Sequence, residues 1–147
     1  MRQSGAVRFV GLALLVAAGA TVGTLLRASI GLAFPHVPGE WPWATFAINV
    51  VGSLALGALI EALALRGPDT GRRRMLRLGA GTGVIGGFTT YSTFVVEIDR
   101  LATAGAVWVA LVYALASVVL GVVAAAVGAG VAASVFGSRA PEGESDA

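Results

Sequence analysis

An all-α membrane protein of four spanning helices is the fold class this sequence predicts, on three observations. Of its 147 residues, 56% are hydrophobic and 12% charged, and the mean hydropathy is +0.85. A soluble domain of this size needs far more polar surface. Four apolar stretches, roughly 7–34, 41–65, 75–98 and 103–136, each reach the length of about 20 residues that a spanning helix requires. The connectors between them are short. We expect a transmembrane domain over 1–136 and a polar, disordered tail, "GSRAPEGESDA", over 137–147.

The first stretch has Arg2 and Arg8 ahead of an apolar run and the small residues "AAGA", a pattern shared with secretory signal peptides cleaved after Ala20. The apolar character continues through "TVGTLLRASIGLAF", too long for a signal segment, so the expectation is a span. "PHVPGE" (35–40) then marks a turn into the second span. "RGPDTGRRR" (66–74) is the one clearly charged linker, and "DRLA" (99–102) is expected as the tight connection between the third and fourth spans.

Arginine placement sets the expected orientation. Arg2, Arg8, Arg66, Arg72, Arg73, Arg74, Arg77 and Arg139 fall on the side shared by the two termini and the middle linker, and Arg100 alone falls opposite. The positive-inside bias puts both termini in the cytoplasm of a plasma-membrane protein. The net charge of +2 and pI near 9.9 therefore express topology. No basic patch interleaved with aromatics points to nucleic acid.

The inventory excludes several chemistries. Without cysteine there are no disulfides, thiolate metal sites or Cys nucleophiles. Without lysine there is neither a Walker A loop nor a Schiff base, so the chain does not drive ATP-dependent pumping. His36 is the sole histidine, and no evident nucleophile–base pair suggests an enzyme.

Each span carries small residues four apart: Gly19 and Gly23; Ser53 and Gly57; Gly79, Gly83 and Gly87; Ser117, Gly121 and Ala125. Helices in lipid associate by close backbone approach over such faces, which predicts a tightly packed and oligomeric bundle.

Polar groups at membrane depth mark either helix–helix glue or a pathway. Thr45, Asn49 and Ser53 form one stripe of the second span. Asn49 is either glue or an amide donor for an anion. Tyr113 and Ser117 share a face of the fourth span, where Tyr113 suits an interfacial belt as well as a pathway. Arg27 either snorkels to the headgroups or offers fixed charge to a vestibule. Glu61, Glu97 and Asp99 lie toward span ends, and the absence of a central titratable group favours passive conduction over proton coupling.

The densest cluster is "GVIGGFTTYSTFVVE" (83–97). Gly86-Gly87 before a β-branched pair predicts a break in the third span near residues 86–90. A break frees carbonyls that suit a cation and N–H groups that suit an anion. Thr89, Thr90, Ser92 and Thr93 add hydroxyls, and Tyr91 and Phe94 put two rings on one face. Ring edges are electropositive and can replace part of a small anion's hydration.

"GGFTTYSTF" resembles the signature of the Fluc (CrcB-type) fluoride channels, supported by "ATFAINVVGS" and "GATVGTLLR". The similarity extends over the four spans and their order. It implies a passive channel that lowers cytoplasmic fluoride and so protects against its toxicity. It also implies an antiparallel dimer with two pores around a central sodium ion. By position, Gly86 and Thr89 would give carbonyls to that sodium. Asn49, Ser92 and Thr93 would line the fluoride path with Phe94 as one ring of an aromatic box, and Arg27 and Glu97 fall at family positions. Tyr91 replaces the usual phenylalanine of the box. "VWVALVYALASVVLG" matches loosely, which leaves Tyr113 and Ser117 as further pore or vestibule candidates, beside Thr45 of the second span. The arginine excess of about seven on one side would bias insertion, so the partner is either a second copy or an oppositely oriented paralogue. The rivals are a small dual-topology drug exporter, which needs a first-span glutamate absent here, and a non-conducting structural subunit.

Overall fold

The computed structural model describes residues 2–137, with side chains from residue 5 onward. Positions 138–147 of the expected tail, Arg139 among them, and the side chain of Arg2 lie outside the described residues. The elements are α1 (Arg2–Ala33), α2 (Trp43–Ala64), α3 (Gly71–Leu76), a π-helical segment (Arg77–Ile85), α4 (Gly86–Phe88), α5 (Tyr91–Thr103) and α6 (Val107–Phe136). Among the described residues three helices are long and apolar enough to cross a membrane: Gly5–Ala33, Trp43–Ala64 and Val107–Phe136. The region expected as the third span, 75–98, runs from the end of α3 through the π-helical segment and α4 into α5.

The large apolar side chains point outward. Phe9, Leu14, Leu32, Trp108, Leu115 and Val122 are exposed. This is the arrangement of a chain whose solvent is lipid, where burying apolar area gains little and packing depends on close approach.

That approach is made mainly within the subunit. α1 packs on the π-helical segment and α4, and α2 on α6. A Cβ on Gly23 would collide with the Val84 carbonyl, one on Gly87 with the Ala20 carbonyl, and one on Gly57 with the Ala125 carbonyl. Several of the small-residue positions therefore meet backbone of another helix inside one chain. The glycines at 79, 81 and 83 also bring little side-chain bulk to the segment with the wider i→i+5 turn, a geometry rare in proteins and concentrated at functional sites.

"DRLA" is helical, contrary to the expected connector. Its Leu, Arg and Ala are good helix formers, and α5 ends later in a Schellman turn. There Gly105, at φ +80°, lets Ala106 N–H reach Leu101 O at 2.9 Å and its own N–H reach Ala102 O at 3.1 Å. The turn brings α5 back against α6 around a small core of Leu101, Ala110 and Tyr113, with Trp41, Phe46, Phe94 and Ile98 packed on it.

Candidate functional site

Between α4 and α5 the backbone leaves helical geometry for two residues. Thr89 (φ −76°, ψ 157°) and Thr90 (φ −147°, ψ 124°) are extended. The local sequence supports this at each end. Thr89 N–H and Oγ1 both donate to Ile85 O, at 2.9 and 3.0 Å, and close the last turn of α4. Thr90 is the N-cap of α5, its Oγ1 accepting from Thr93 N–H at 3.1 Å. Across from them, Gly52 of α2 leaves the space that the Thr89 methyl occupies, since a Cβ there would collide with Thr89 Cγ2.

Asn49 secures the extended pair from α2. Its Nδ2 donates to Thr90 O at 3.0 Å and its Oδ1 accepts from Thr90 N–H at 2.9 Å. One partner only accepts and the other only donates, so the amide orientation is fixed by the bonds themselves. Asn49 is therefore glue of an unusual kind, a side chain that serves both backbone groups of one residue. Its second N–H remains for another acceptor.

The hydroxyls converge on Thr90. Its Oγ1 donates to Thr93 Oγ1 at 3.0 Å and lies 3.3 Å from Ser92 Oγ. Phe94 stacks in tilted fashion between Tyr91 and Tyr113, with centroids 6.1 and 5.4 Å away. Tyr91 is 79% exposed, whereas Tyr113 is fully buried, which removes the interfacial-belt role weighed for it. A cavity of about 310 Å³ opens beside this face, lined among others by Asn49, Ser53, Thr90, Tyr91, Phe94 and Ser117. Ser117 Oγ is buried without a hydrogen bond of good geometry among the described residues.

Beyond Phe94 lies a second polar cluster. Glu97 is 5% exposed, its Oε1 accepting from Thr45 Oγ1 at 2.7 Å and its Oε2 from Tyr113 OH at 2.8 Å. Glu97 sits in the middle of α5, and its partners Thr45 and Tyr113 lie near the starts of α2 and α6. Thr45 and Asn49, one turn apart on α2, thus serve two different clusters.

Arg27 turns inward, with Nε 3.3 Å from Gly87 O, and Thr24 Oγ1 lies 3.4 Å from the same carbonyl. Gly87 O, which an unbroken helix would bond to the Tyr91 amide, is served by α1 instead. The carbonyls of Gly86 and Thr89 are in a different position. The amides that would reach them in a continuous helix, those of Thr90 and Thr93, donate to Asn49 Oδ1 and Thr90 Oγ1. Among the described residues no group of three or more His, Cys, Asp or Glu is arranged to hold a metal.

Sequence reasoning missed Gly52 and the central part of Thr90. The four-residue spacing of Thr45, Asn49 and Ser53 was the available signal for a shared face, but nothing local linked Thr45 to Glu97.

Comparison with known proteins gives a consistent set. A family model described as "CrcB-like protein, Camphor Resistance (CrcB)" matches residues 14–129. The chain is 51% identical over 111 residues to "Fluoride-specific ion channel FluC 2" of Leifsonia xyli, covering 76% of each chain. It is 45% identical over 107 residues to "Fluoride-specific ion channel FluC 1" of Cutibacterium acnes, covering 73% of this chain and 75% of that protein. "Fluoride-specific ion channel FluC" of Hyphomonas neptunium is 44% identical over 124 residues, or 84% of this chain and 96% of the relative.

Proposed function

The chain belongs to the CrcB-like protein family, and from that premise we propose that it is a fluoride-selective membrane channel. It is not an enzyme. It carries fluoride passively and lowers its cytoplasmic concentration. The observation that carries the proposal is the hydroxyl and amide cluster around Thr90, bordered by the Phe94 ring and open to a cavity. Fluoride is small and strongly hydrated, so a pore that strips its water must offer donors in exchange. The remaining N–H of Asn49, the hydroxyls of Ser92 and Thr93, and the ring edges of Tyr91 and Phe94 are those donors. Thr45 of α2, Glu97 of α5, and Tyr113 and Ser117 of α6 continue the polar path, and Arg27 holds α4 in place beside it.

The channel is a dimer of antiparallel subunits in this proposal, which the exposure of Tyr91 next to an open cavity supports. A sodium ion fits the carbonyls of Gly86 and Thr89, hard oxygens deprived of their helical donors. When bound, it supplies a fixed positive charge that favours anions nearby. The residues themselves do the rest: Asn49 and the Thr90 cap keep both carbonyls turned out of the helix.

Purified protein in liposomes loaded with fluoride or chloride tests the function. Fluoride should leave and chloride stay; equal efflux of both would refute selectivity. Phe94→Ile should slow fluoride efflux about tenfold, equivalent to about 1.4 kcal/mol of lost barrier stabilisation, and unchanged flux would remove the ring from the mechanism.

The side that carries the termini and the Arg-rich linker is cytoplasmic, and its arginine excess favours an oppositely oriented paralogue as partner. A C-terminal topology reporter should give signal from the cytoplasm alone. Comparable signal from both sides would favour a homodimer inserted in both directions.

A further inference from the structure

We propose that the groove between the start of α1 and α3 binds one anionic phospholipid. The groove encloses about 830 Å³, far more than a monatomic ion needs. Phe9, Leu12, Leu15 and Met75 give it apolar walls, Arg8 and Arg74 line it, and among the described residues no carboxylate does. Gly5, Gly11 and Gly71 also border it, and nothing lies within 4 Å of where a Cβ would stand on any of them. The space is open because three side chains are missing around it.

The commitments of the arginines separate this site from a general basic surface. Arg66 lies over the Phe136 ring at 4.5 Å. Arg73 donates to Arg66 O and Pro68 O at 2.6 and 2.9 Å. Arg77 pairs with Asp69 at 2.7 Å, and this hydrogen bond is the main reason the Asp69 carboxyl is held below its ordinary range. Arg8 and Arg74 make no hydrogen bond or ion pair among the described residues. Arg72 is likewise free of such bonds among the described residues but lies outside the groove, so Arg8 and Arg74 are the two unengaged guanidinium groups that line it, and an oxyanion is what such planar forks bind.

The location fits a lipid. From Arg8 to Leu15 the wall of α1 runs about 10 Å along the helix, so a phosphate held at the arginines would direct an acyl chain down the apolar part. Basic pockets beside transmembrane helices take anionic headgroups for the same reason.

The test uses the full chain purified in detergent. Bound lipid is counted by native mass spectrometry with added dioleoyl phosphatidylglycerol, dioleoyl phosphatidylcholine or inorganic phosphate. One phosphatidylglycerol per subunit should bind, phosphatidylcholine at least about tenfold more weakly, and inorganic phosphate should not displace the lipid. The double variant Arg8→Gln/Arg74→Gln should weaken binding about thirtyfold. Arg72→Gln, an exposed linker arginine outside the groove, should change it less than about threefold. Gly11→Phe fills the open space without altering charge and should also displace the lipid; it decides alone if the double variant does not fold. Equal binding of the two lipids, displacement by phosphate, an Arg72→Gln effect equal to the double variant's, or unchanged binding in Gly11→Phe would each overturn the proposal.

Discussion

The two faces of the interrupted segment 71–103 are held by opposite means. Toward α1, the π-helical segment and α4 rest on Gly19, Ala20 and Gly23 by direct backbone contact, with two long bonds to Gly87 O as the polar addition. Toward α2 and α6, the extended pair and α5 are held by directional bonds from Asn49, Thr45 and Tyr113. The first kind of contact leaves no donors over and tolerates no added atom. The second leaves hydroxyls and one amide hydrogen beside a cavity, where an ion pathway needs them. One face is therefore sensitive to volume, the other to hydrogen-bond chemistry.

The largest expected effect tests the first face. Gly23→Val puts two methyls against the Val84 carbonyl and the Phe88 amide. Backbone cannot move aside as a flexible side chain can, so the cost should exceed the about 1–3 kcal/mol usual for overpacking. The readout is the yield of folded protein on gel filtration, which should collapse. Normal yield would mean that α1 is only loosely apposed.

The second test is smaller and chemical. Asn49→Leu keeps the volume but strips Thr90 N–H and C=O of their partners, at about 1–3 kcal/mol for each unmet group. Thermal unfolding should shift down by a corresponding amount, and fluoride efflux should be lost in the fraction that folds. A variant that keeps both stability and flux would make Asn49 dispensable to the extended pair.

The third separates hydrogen bonding from charge within the polar face. Glu97→Gln preserves shape and one acceptor, so stability should fall by only about 1 kcal/mol. A loss as large as that of Asn49→Leu would show that the carboxylate's charge, rather than its two hydroxyl partners, organises the cluster.

The residues that were legible in the sequence are those whose signal is local. Gly86-Gly87 ahead of two threonines marked where the helix stops, and the backbone is extended at Thr89 and Thr90. The stop of α5 was misplaced at 99–102, although Gly105 was the visible C-terminal glycine and "DRLA" carried helix-forming residues. The burial of Glu97 was not legible, because its two hydroxyl partners come from other helices. Tyr113 was ambiguous because an aromatic near a span end looks the same whether it faces lipid or a buried acid.

By itself the sequence determined that this chain lives in lipid, how many apolar stretches it has, where the third is interrupted, and which hydroxyls and rings gather there. Composition, length and nearest-neighbour chemistry suffice for those. Only the tertiary structure decided which of these groups are already engaged. Asn49 meets Thr90 across 41 residues, Thr45 meets Glu97 across 52, and Arg27 meets Gly87 across 60. Such pairings depend on how closely helices can approach, and that is set by glycines facing distant backbone or, at Gly52, a threonine methyl, a property of the assembled helices rather than of any one stretch of chain.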